Sequence, residues 1–152
     1  MFTRVHHVSY QIEDVKPMRD FLEKNFGMTP AEEGQSQTQT KFDYIAYRIG
    51  DMIMDFISPV GDSGLARRLK ETGPVLHHVA WATDGVGIED LFNQLKAKGT
   101  TIKNDAIVKS PKGYIRFDID EADTCGIPLQ LAEGDPLGWD DNQEASEKVQ
   151  LS

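Results

Sequence analysis

One short pattern occurs twice in this chain of 152 residues, and the repetition limits the folds that the chain can adopt. Residues 5–10 have the sequence VHHVSY and residues 76–81 have the sequence LHHVAW, at an offset of 71 residues. Three later segments also correspond in the same order, namely 26–27 with 98–99, 44–49 with 114–119, and 53–57 with 128–132. Four matches in one order indicate two tandem copies of a structural unit.

Each copy has the pattern of a strand, a helix and further strands. Apolar runs rich in aromatic and β-branched residues predict first strands at 7–12 and 78–82. Apolar residues spaced three and four apart then predict two helices, one from Asp14 to Gly27 and one over 88–98. Strand pairs follow, at 44–49 and 52–57 around the tight Gly50-Asp51 turn, and at 114–119 and 127–132.

A linker helix over 65–72, capped by Asp62 or Ser63 and closed by Gly73-Pro74, is predicted between the two copies. The polar segment 32–40 is predicted as a loop or an irregular edge strand. The sequence therefore predicts an α+β fold of two tandem β-α-β-β-β modules within one domain, residues 1–135. Module one is expected at 3–60, the linker helix at 62–73, module two at 74–135 and an acidic tail at 136–152.

Charge and cysteine content exclude several classes of function. The chain has 16 Lys and Arg against 25 Asp and Glu, a formal net charge of −9, which argues against nucleic-acid binding and against an anionic membrane surface. The single cysteine, Cys125, excludes an internal disulfide and a cysteine-rich metal site. Because no apolar run resembles a signal peptide or a membrane span, we expect a cytoplasmic protein.

Four polar residues stand at equivalent points of the two copies and are the candidate metal ligands. His7 and His78 lie near the starts of the first strands, and Asp55 and Gln130 lie within the last strands. Two imidazoles, a carboxylate and an amide oxygen suit a divalent first-row metal if the modules face each other. Asp55 is the most informative of the four, because an unpaired carboxylate in a buried strand would cost several kcal/mol.

The histidines that precede His7 and His78 are the alternatives. Strand alternation sends His6 and His77 to the face opposite the one that presents His7 and His78, so each pair is expected to offer one ligand at most. The pattern alone does not decide which face of the strands points into a site.

The repeat and the segment GLARRLKETGPVLHHVAW at 64–81 resemble the vicinal oxygen chelate superfamily of glyoxalase I, methylmalonyl-CoA epimerase and extradiol dioxygenases, nearest the epimerase branch. The resemblance implies a glyoxalase-like open barrel and selects the second histidine of each pair, so the implied ligands are His7, Asp55, His78 and Gln130. It also implies a divalent ion (cobalt, nickel, manganese or zinc) that stabilises the enolate of a vicinal-oxygen substrate.

The chain departs from the epimerase pattern at the two catalytic bases. Acyl-CoA epimerases of this kind use two glutamates, and the corresponding positions here carry Gln39 and Gln130, whose amides cannot accept the proton. Asp55 is then the candidate base, since a metal-bound carboxylate can detach in such sites. Tyr10, Tyr44 and Tyr114 are candidate proton donors, with structural packing as the alternative for each.

Three functions remain open on this interpretation. The first is a metal-dependent isomerase, epimerase or glyoxalase-like lyase that acts on a small molecule next to a carbonyl. The second is a non-haem iron dioxygenase, in which His7, His78 and Asp55 form a two-histidine, one-carboxylate set. The third is a non-catalytic small-molecule binding protein. A homodimer is compatible with all three, because such modules pair within a chain or between chains.

Overall fold

The computed structural model describes residues 1–36, 40–110 and 113–137. Its strands are β1 Arg4–Gln11, β2 Glu32–Gln35, β3 Phe42–Ile49, β4 Met52–Pro59, β5 Val75–Ala82, β6 Val108–Lys109, β7 Ile115–Ile119 and β8 Leu129–Glu133. Its helices are α1 Val15–Phe26, α2 Gly64–Thr72 and α3 Ile88–Ala97. Each predicted helix and strand is present, and the segment predicted as a loop or edge strand contains the short strand β2.

All eight strands belong to one sheet in the order β2-β3-β4-β1-β5-β8-β7-β6. The first strand of each module pairs in parallel with the last strand of the same module, β1 with β4 and β5 with β8. The two first strands, β1 and β5, pair with each other antiparallel at the centre. The sheet is therefore two copies of one four-stranded unit, joined edge to edge, and the predicted α+β arrangement of two tandem modules is confirmed.

Each module buries its apolar residues on the sheet face that its own helix covers. Leu22 of α1 packs on Ile45 and Phe56 in the first half. Phe92 of α3 packs on Phe117 and Leu131 in the second half. The opposite face of the sheet is left to the polar residues at the alternate strand positions, and it is there that a site can form.

The helix ends follow the signals in the sequence. Asp14 caps α1 by accepting a hydrogen bond from the Lys16 N–H at 2.9 Å, and Gly27 ends that helix in the left-handed conformation that glycine adopts without strain. None of the helices within the described residues is long and apolar enough to cross a bilayer. Gln39 and the acidic tail from residue 138 onward lie outside the described residues.

Candidate metal centre

A cavity of about 570 Å³ lies on the sheet face opposite α1 and α3. All four predicted ligands line it, namely His7, Asp55, His78 and Gln130. The two modules therefore face one shared cavity, as the repeat predicted.

Strand register explains why residues so far apart in sequence line one cavity. Ser9 of β1 lies opposite both Asp55 of β4 and His78 of β5. Ala80 of β5 lies opposite both His7 of β1 and Gln130 of β8. Because residues opposite each other on neighbouring strands point to the same face, the four side chains project together.

The closest contact in the cavity joins the two modules. The Nε2 atoms of His7 and His78 are 2.9 Å apart, and the two rings meet nearly at right angles. The His7 side chain is almost fully buried, so this contact is shielded from bulk water on the His7 side. Two imidazole nitrogens, one from each module, thus converge on one point.

The histidines that precede them do not follow the expected alternation. His6 and His77 are the extra residues in two register shifts of the β1–β5 ladder, one between Val5 and His7 and the other opposite Ser9 and Tyr10. A bulge of this kind re-aims the inserted side chain. As a result the Nδ1 atoms of His6 and His7 are 2.8 Å apart, and those of His77 and His78 are 2.7 Å apart.

The prediction that His6 and His77 point away from the cavity side is therefore wrong for His77, which lines the cavity beside His78. His6 is fully buried behind His7, against the ring of Tyr114. The alternation rule failed because it holds only for an unbroken ladder, and both first histidines occupy the breaks.

Hydrogen bonds fix the protons on the first histidine pair. His6 Nε2 lies 2.8 Å from the Gly134 carbonyl oxygen, which can only accept, so this nitrogen carries a proton. Burial lowers the pKa of His6 to about 4 despite that hydrogen bond, so the ring is neutral at pH 7 and its Nδ1 atom accepts. His7 Nδ1 must then donate to it, and in the neutral form of His7 the Nε2 atom keeps a lone pair directed at His78.

The second pair has two arrangements. Burial lowers the pKa of His78. Burial also lowers the pKa of His77 to about 4, and the adjacent His78 contributes to that shift. Both rings are therefore neutral at pH 7. Either His78 donates through Nε2 to His7, or it donates through Nδ1 to His77 and leaves two lone pairs facing each other 2.9 Å apart. The second arrangement requires a cation at that point.

Gln130 is oriented by a neighbour that the sequence analysis did not include. Its Nε2 atom donates to Asp118 Oδ1 at 2.8 Å, and the other Asp118 oxygen is paired with the Arg116 guanidinium. The carboxylate accepts only, so the amide is held with its oxygen turned away from Asp118. Within the described residues that buried Oε1 atom accepts no hydrogen bond.

Asp55 contributes a carboxylate to the same cavity from the opposite module, and only 8% of the residue is exposed. Its charge acts on His78, whose protonated form it favours. Among the residues that the structure describes, no three His, Cys, Asp or Glu side chains are already gathered around one point. The contact between His7 and His78 is the assembled part of the site, and Asp55 and Gln130 flank it.

The three candidate tyrosines have separate environments. Tyr10 does not line the cavity but stacks on Phe56 in the first apolar cluster, so the structure assigns it to packing. Tyr44 lines the cavity, and its hydroxyl donates to Glu32 at 2.8 Å. Burial and that carboxylate raise the pKa of Tyr44. Tyr114 also lines the cavity, with its ring 5.4 Å from that of His7.

Charged residues around the cavity were missed from the sequence. Three basic residues, Arg68, Lys103 and Arg116, and two further acids, Asp118 and Glu121, line it together with Asp55. Charged and apolar residues alternate at Arg116, Phe117 and Asp118, which is typical of a strand with one face in solvent. For this reason the sequence did not indicate that Arg116 and Asp118 line a cavity. Asp118 shares with Asp55 the one usable signal, a carboxylate between two apolar residues of a strand.

Residues 6–115 match the profile of the Glyoxalase/Bleomycin resistance protein/Dioxygenase superfamily, and the chain therefore belongs to this superfamily. The match covers both His-His segments and the linker helix. A comparison with curated proteins gave no match.

Among solved structures, the fold is similar to a variant of Streptomyces coelicolor methylmalonyl-CoA epimerase in complex with 2-nitronate-propionyl-CoA, at 17% identity and a TM-score of 0.71, over 87% of this chain and 97% of that one. It is also similar to methylmalonyl-CoA epimerase from Mycobacterium tuberculosis, at 16% identity and a TM-score of 0.73, over 87% and 88%. These similarities confirm the predicted glyoxalase-like fold.

Proposed function

We propose that this member of the glyoxalase superfamily is a divalent-metal-dependent isomerase or epimerase, or a related lyase, that acts next to a carbonyl. The observation that carries the proposal is the pair of Nε2 atoms of His7 and His78, 2.9 Å apart, in the same cavity as the buried amide oxygen of Gln130. The similarity in fold to methylmalonyl-CoA epimerases supports the reaction class, although the substrate of those enzymes is not carried over.

The residues present fit a divalent ion. The Nε2 atoms of His7 and His78 converge to 2.9 Å from the two modules, and imidazole nitrogens are common ligands of such ions. His7 already presents its Nε2 lone pair to that point, because His6 and Gly134 fix its other proton. His7, His78 and Gln130 would hold the ion, with Asp55 as a fourth ligand. A nitrogen and oxygen donor set suits cobalt, nickel, manganese or zinc.

A bound ion would supply Lewis-acid stabilisation of the enolate oxygen. The protein's own residues carry the rest of the reaction. Asp55 would also remove and return the substrate proton, since a metal-bound carboxylate can detach. Gln130, at the equivalent position of module two, cannot do so because an amide does not accept the proton. The Asp118–Arg116 pair keeps the Gln130 amide from rotating. The ring of Tyr114 covers the His6–His7 pair.

A single base favours an isomerase, or an epimerase whose substrate turns in the site, over a two-base mechanism. Gln130 replaces one base of the epimerase pattern, and Gln39 stands at the position of the other. A proton that is held on one carboxylate between its removal and its return can exchange with solvent during that time. Exchange of substrate hydrogen with deuterium is therefore the expected sign of activity.

Metal content tests the proposal first. Protein purified without a histidine tag or chelator is expected to contain close to one divalent ion per chain by elemental analysis. His78→Ala should empty the site, while His77→Ala, which removes the adjacent histidine, should retain metal. No metal after soaking with each candidate ion would contradict the proposal. Iron, together with oxygen uptake in the presence of a catechol, would favour the dioxygenase.

The role of Asp55 has its own test. Metal-loaded protein is incubated in deuterium oxide with a panel of 2-oxo acids and α-hydroxyketones, and deuterium incorporation is followed by proton NMR. Asp55→Asn should reduce exchange by about 10²- to 10⁴-fold, the range for removal of a general base. Asp51→Asn, in the exposed turn between β3 and β4, is the matched control. Full exchange activity in Asp55→Asn would exclude Asp55 as the base.

A further inference from the structure

The cavity contains more positive charge than the protein as a whole suggests. In a chain of net charge −9, three basic residues and three acidic residues line this one cavity. Two of the three basic residues have carboxylate partners, since Arg116 pairs with Asp118 and Lys103 pairs with Glu121. A divalent ion at the histidines would therefore leave the cavity with a net positive charge.

Arg68 is the third basic residue, and it differs from the other two. It lies on α2, is half-buried, and lines the cavity. Within the described residues its guanidinium makes no salt bridge or side-chain hydrogen bond, and only its backbone oxygen accepts one, from Thr72. A half-buried guanidinium has lost part of its hydration, so an anionic partner would be bound more strongly there than at the surface.

The neighbouring residue Arg67 shows what an ordinary surface arginine does on the same helix. Its guanidinium pairs with Asp62 at 3.3 Å, and 65% of its side chain is exposed. Arg67 does not line the cavity. One turn of α2 thus carries two arginines, one paired at the surface and one directed at the cavity.

Arg68 also lines the same cavity as His77 and His78. Its charge acts on both His77 and His78, lowering the pKa of each, although burial is the larger cause. Leu65, one turn earlier on α2, lines the same cavity. A small molecule can therefore reach Arg68 with one end while its other end lies beside the His7–His78 pair.

We propose that Arg68 binds an anionic group of the substrate, so that the substrate combines two vicinal oxygens at one end with a carboxylate or phosphate at the other. This inference rests on the proposed function, because it places the vicinal oxygens at the histidines. Arg68 then selects the substrate and orients it, and neutral ketones of the same size are poor ligands.

The main experiment compares two probes of equal length that differ only at the far end. 2-Oxoglutarate carries a distal carboxylate, and 2-oxopentanoate carries a methyl group there. Calorimetric titration of zinc-loaded protein should show about tenfold tighter binding of 2-oxoglutarate, the effect of one charge-assisted hydrogen bond at a half-exposed site. Arg68→Gln should remove this preference, and Arg67→Gln, with the same change of charge on the same helix, should keep it.

A second measurement works without metal and separates the two sources of the anion. The side-chain Nε–H signal of Arg68, assigned by its absence from Arg68→Gln, is followed by ¹⁵N NMR in chelator-treated protein during titration with succinate and with inorganic phosphate. We expect the Arg68 signal to shift and the Arg67 signal to stay. The anion that shifts it at the lower concentration identifies the substrate group as carboxylate or phosphate.

The outcomes distinguish this inference from the proposed function. If 2-oxopentanoate binds in a metal-dependent way but 2-oxoglutarate binds no better, or if Arg68→Gln keeps the preference, the role of Arg68 is overturned and the metal site stands. If neither acid binds more tightly with metal but the Arg68 signal still shifts, the metal-dependent function fails and the anion site stands. An Arg68 signal that moves with neither anion overturns the anion site.

Discussion

The two modules share a sequence pattern and a strand arrangement, yet they complete the cavity with different chemistry. At the equivalent position of the last strand, module one has Asp55 and module two has Gln130. Asp55 lies opposite the small, fully buried Ala46, whereas Gln130 lies opposite Asp118. A carboxylate at 130 would face a second carboxylate, while an amide donates to Asp118 and leaves its oxygen for the cavity. The residue across the strand thus explains the departure from the epimerase pattern.

The two histidine pairs show a similar contrast. Both first histidines sit in bulges and contact the second histidine through Nδ1. His6 is also anchored to the Gly134 carbonyl, while His77 has no second hydrogen bond among the described residues. Module one therefore has its protons fixed by the fold. Module two keeps two arrangements, and the proposed cation would select one of them.

The first prediction removes the difference between Asp55 and Gln130. In metal-free Gln130→Glu, the new carboxylate at position 130 faces the Asp118 carboxylate across the strand pair. One of the two stays protonated, and its pKa in the folded state rises. A raised carboxyl pKa gives stability that is lost as pH increases, so the free energy of unfolding should fall by about 2 kcal/mol more at pH 8 than at pH 5. Urea denaturation at both pH values measures this effect.

The double variant Gln130→Glu with Asp118→Asn is the control, because it restores a donor opposite the new carboxylate. We expect it to recover most of the loss at pH 8. Equal stability of the single and double variants at pH 8 would show that the charge opposite position 130 does not decide which residue is tolerated there.

The next effect sharpens the contrast between the histidine pairs. Burial lowers the pKa of His6 and of His77 from 6.5 to about 4, so each ring takes up a proton more readily in the unfolded chain. Stability is therefore present above pH 6.5 and is lost as pH falls towards 4, by up to about 1.4 kcal/mol per pH unit for each histidine.

His6→Gln and His77→Gln should each reduce this slope in denaturation experiments between pH 7 and pH 4.5. At pH 7 the two variants should differ, because His6 makes two buried hydrogen bonds and His77 makes one. We expect a loss of about 2 kcal/mol for His6→Gln and about 1 kcal/mol for His77→Gln. Equal losses would mean that the Gly134 hydrogen bond adds nothing.

The smallest expected effect concerns the N-termini of α1 and α3, the helices of the two modules. Asp14 caps α1 from the adjacent residue, whereas α3 begins after Gly87 without a side-chain cap, and Glu133 of β8 accepts from the Ile88 N–H at 2.7 Å instead. Asp14→Ala and Glu133→Ala should each cost about 1 kcal/mol. Hydrogen exchange at Ile88 should accelerate in Glu133→Ala and stay unchanged in Asp14→Ala. Unchanged exchange at Ile88 in both variants would show that Glu133 is not the cap.

The sequence by itself determined the modules, the helices and most strand positions. These features depend on local periodicity, on caps such as Asp14 and on the tight turn at Gly50. Because the chain is a tandem repeat, the same order of elements could be predicted independently in each module. The repeat also indicated His7, Asp55, His78 and Gln130, since polar residues at equivalent points of two facing units line one cavity. The structure places all four there.

Only the tertiary structure decided how that cavity is lined and held. The bulges at His6 and His77 depend on how β1 and β5 pair across 71 residues, so alternation within one strand gave the wrong face for His77. The bond between Gln130 and Asp118 depends on the register of two strands, and the position of Arg68 depends on where α2 packs. Periodicity is a property of one element, whereas these contacts join elements that are distant in the sequence.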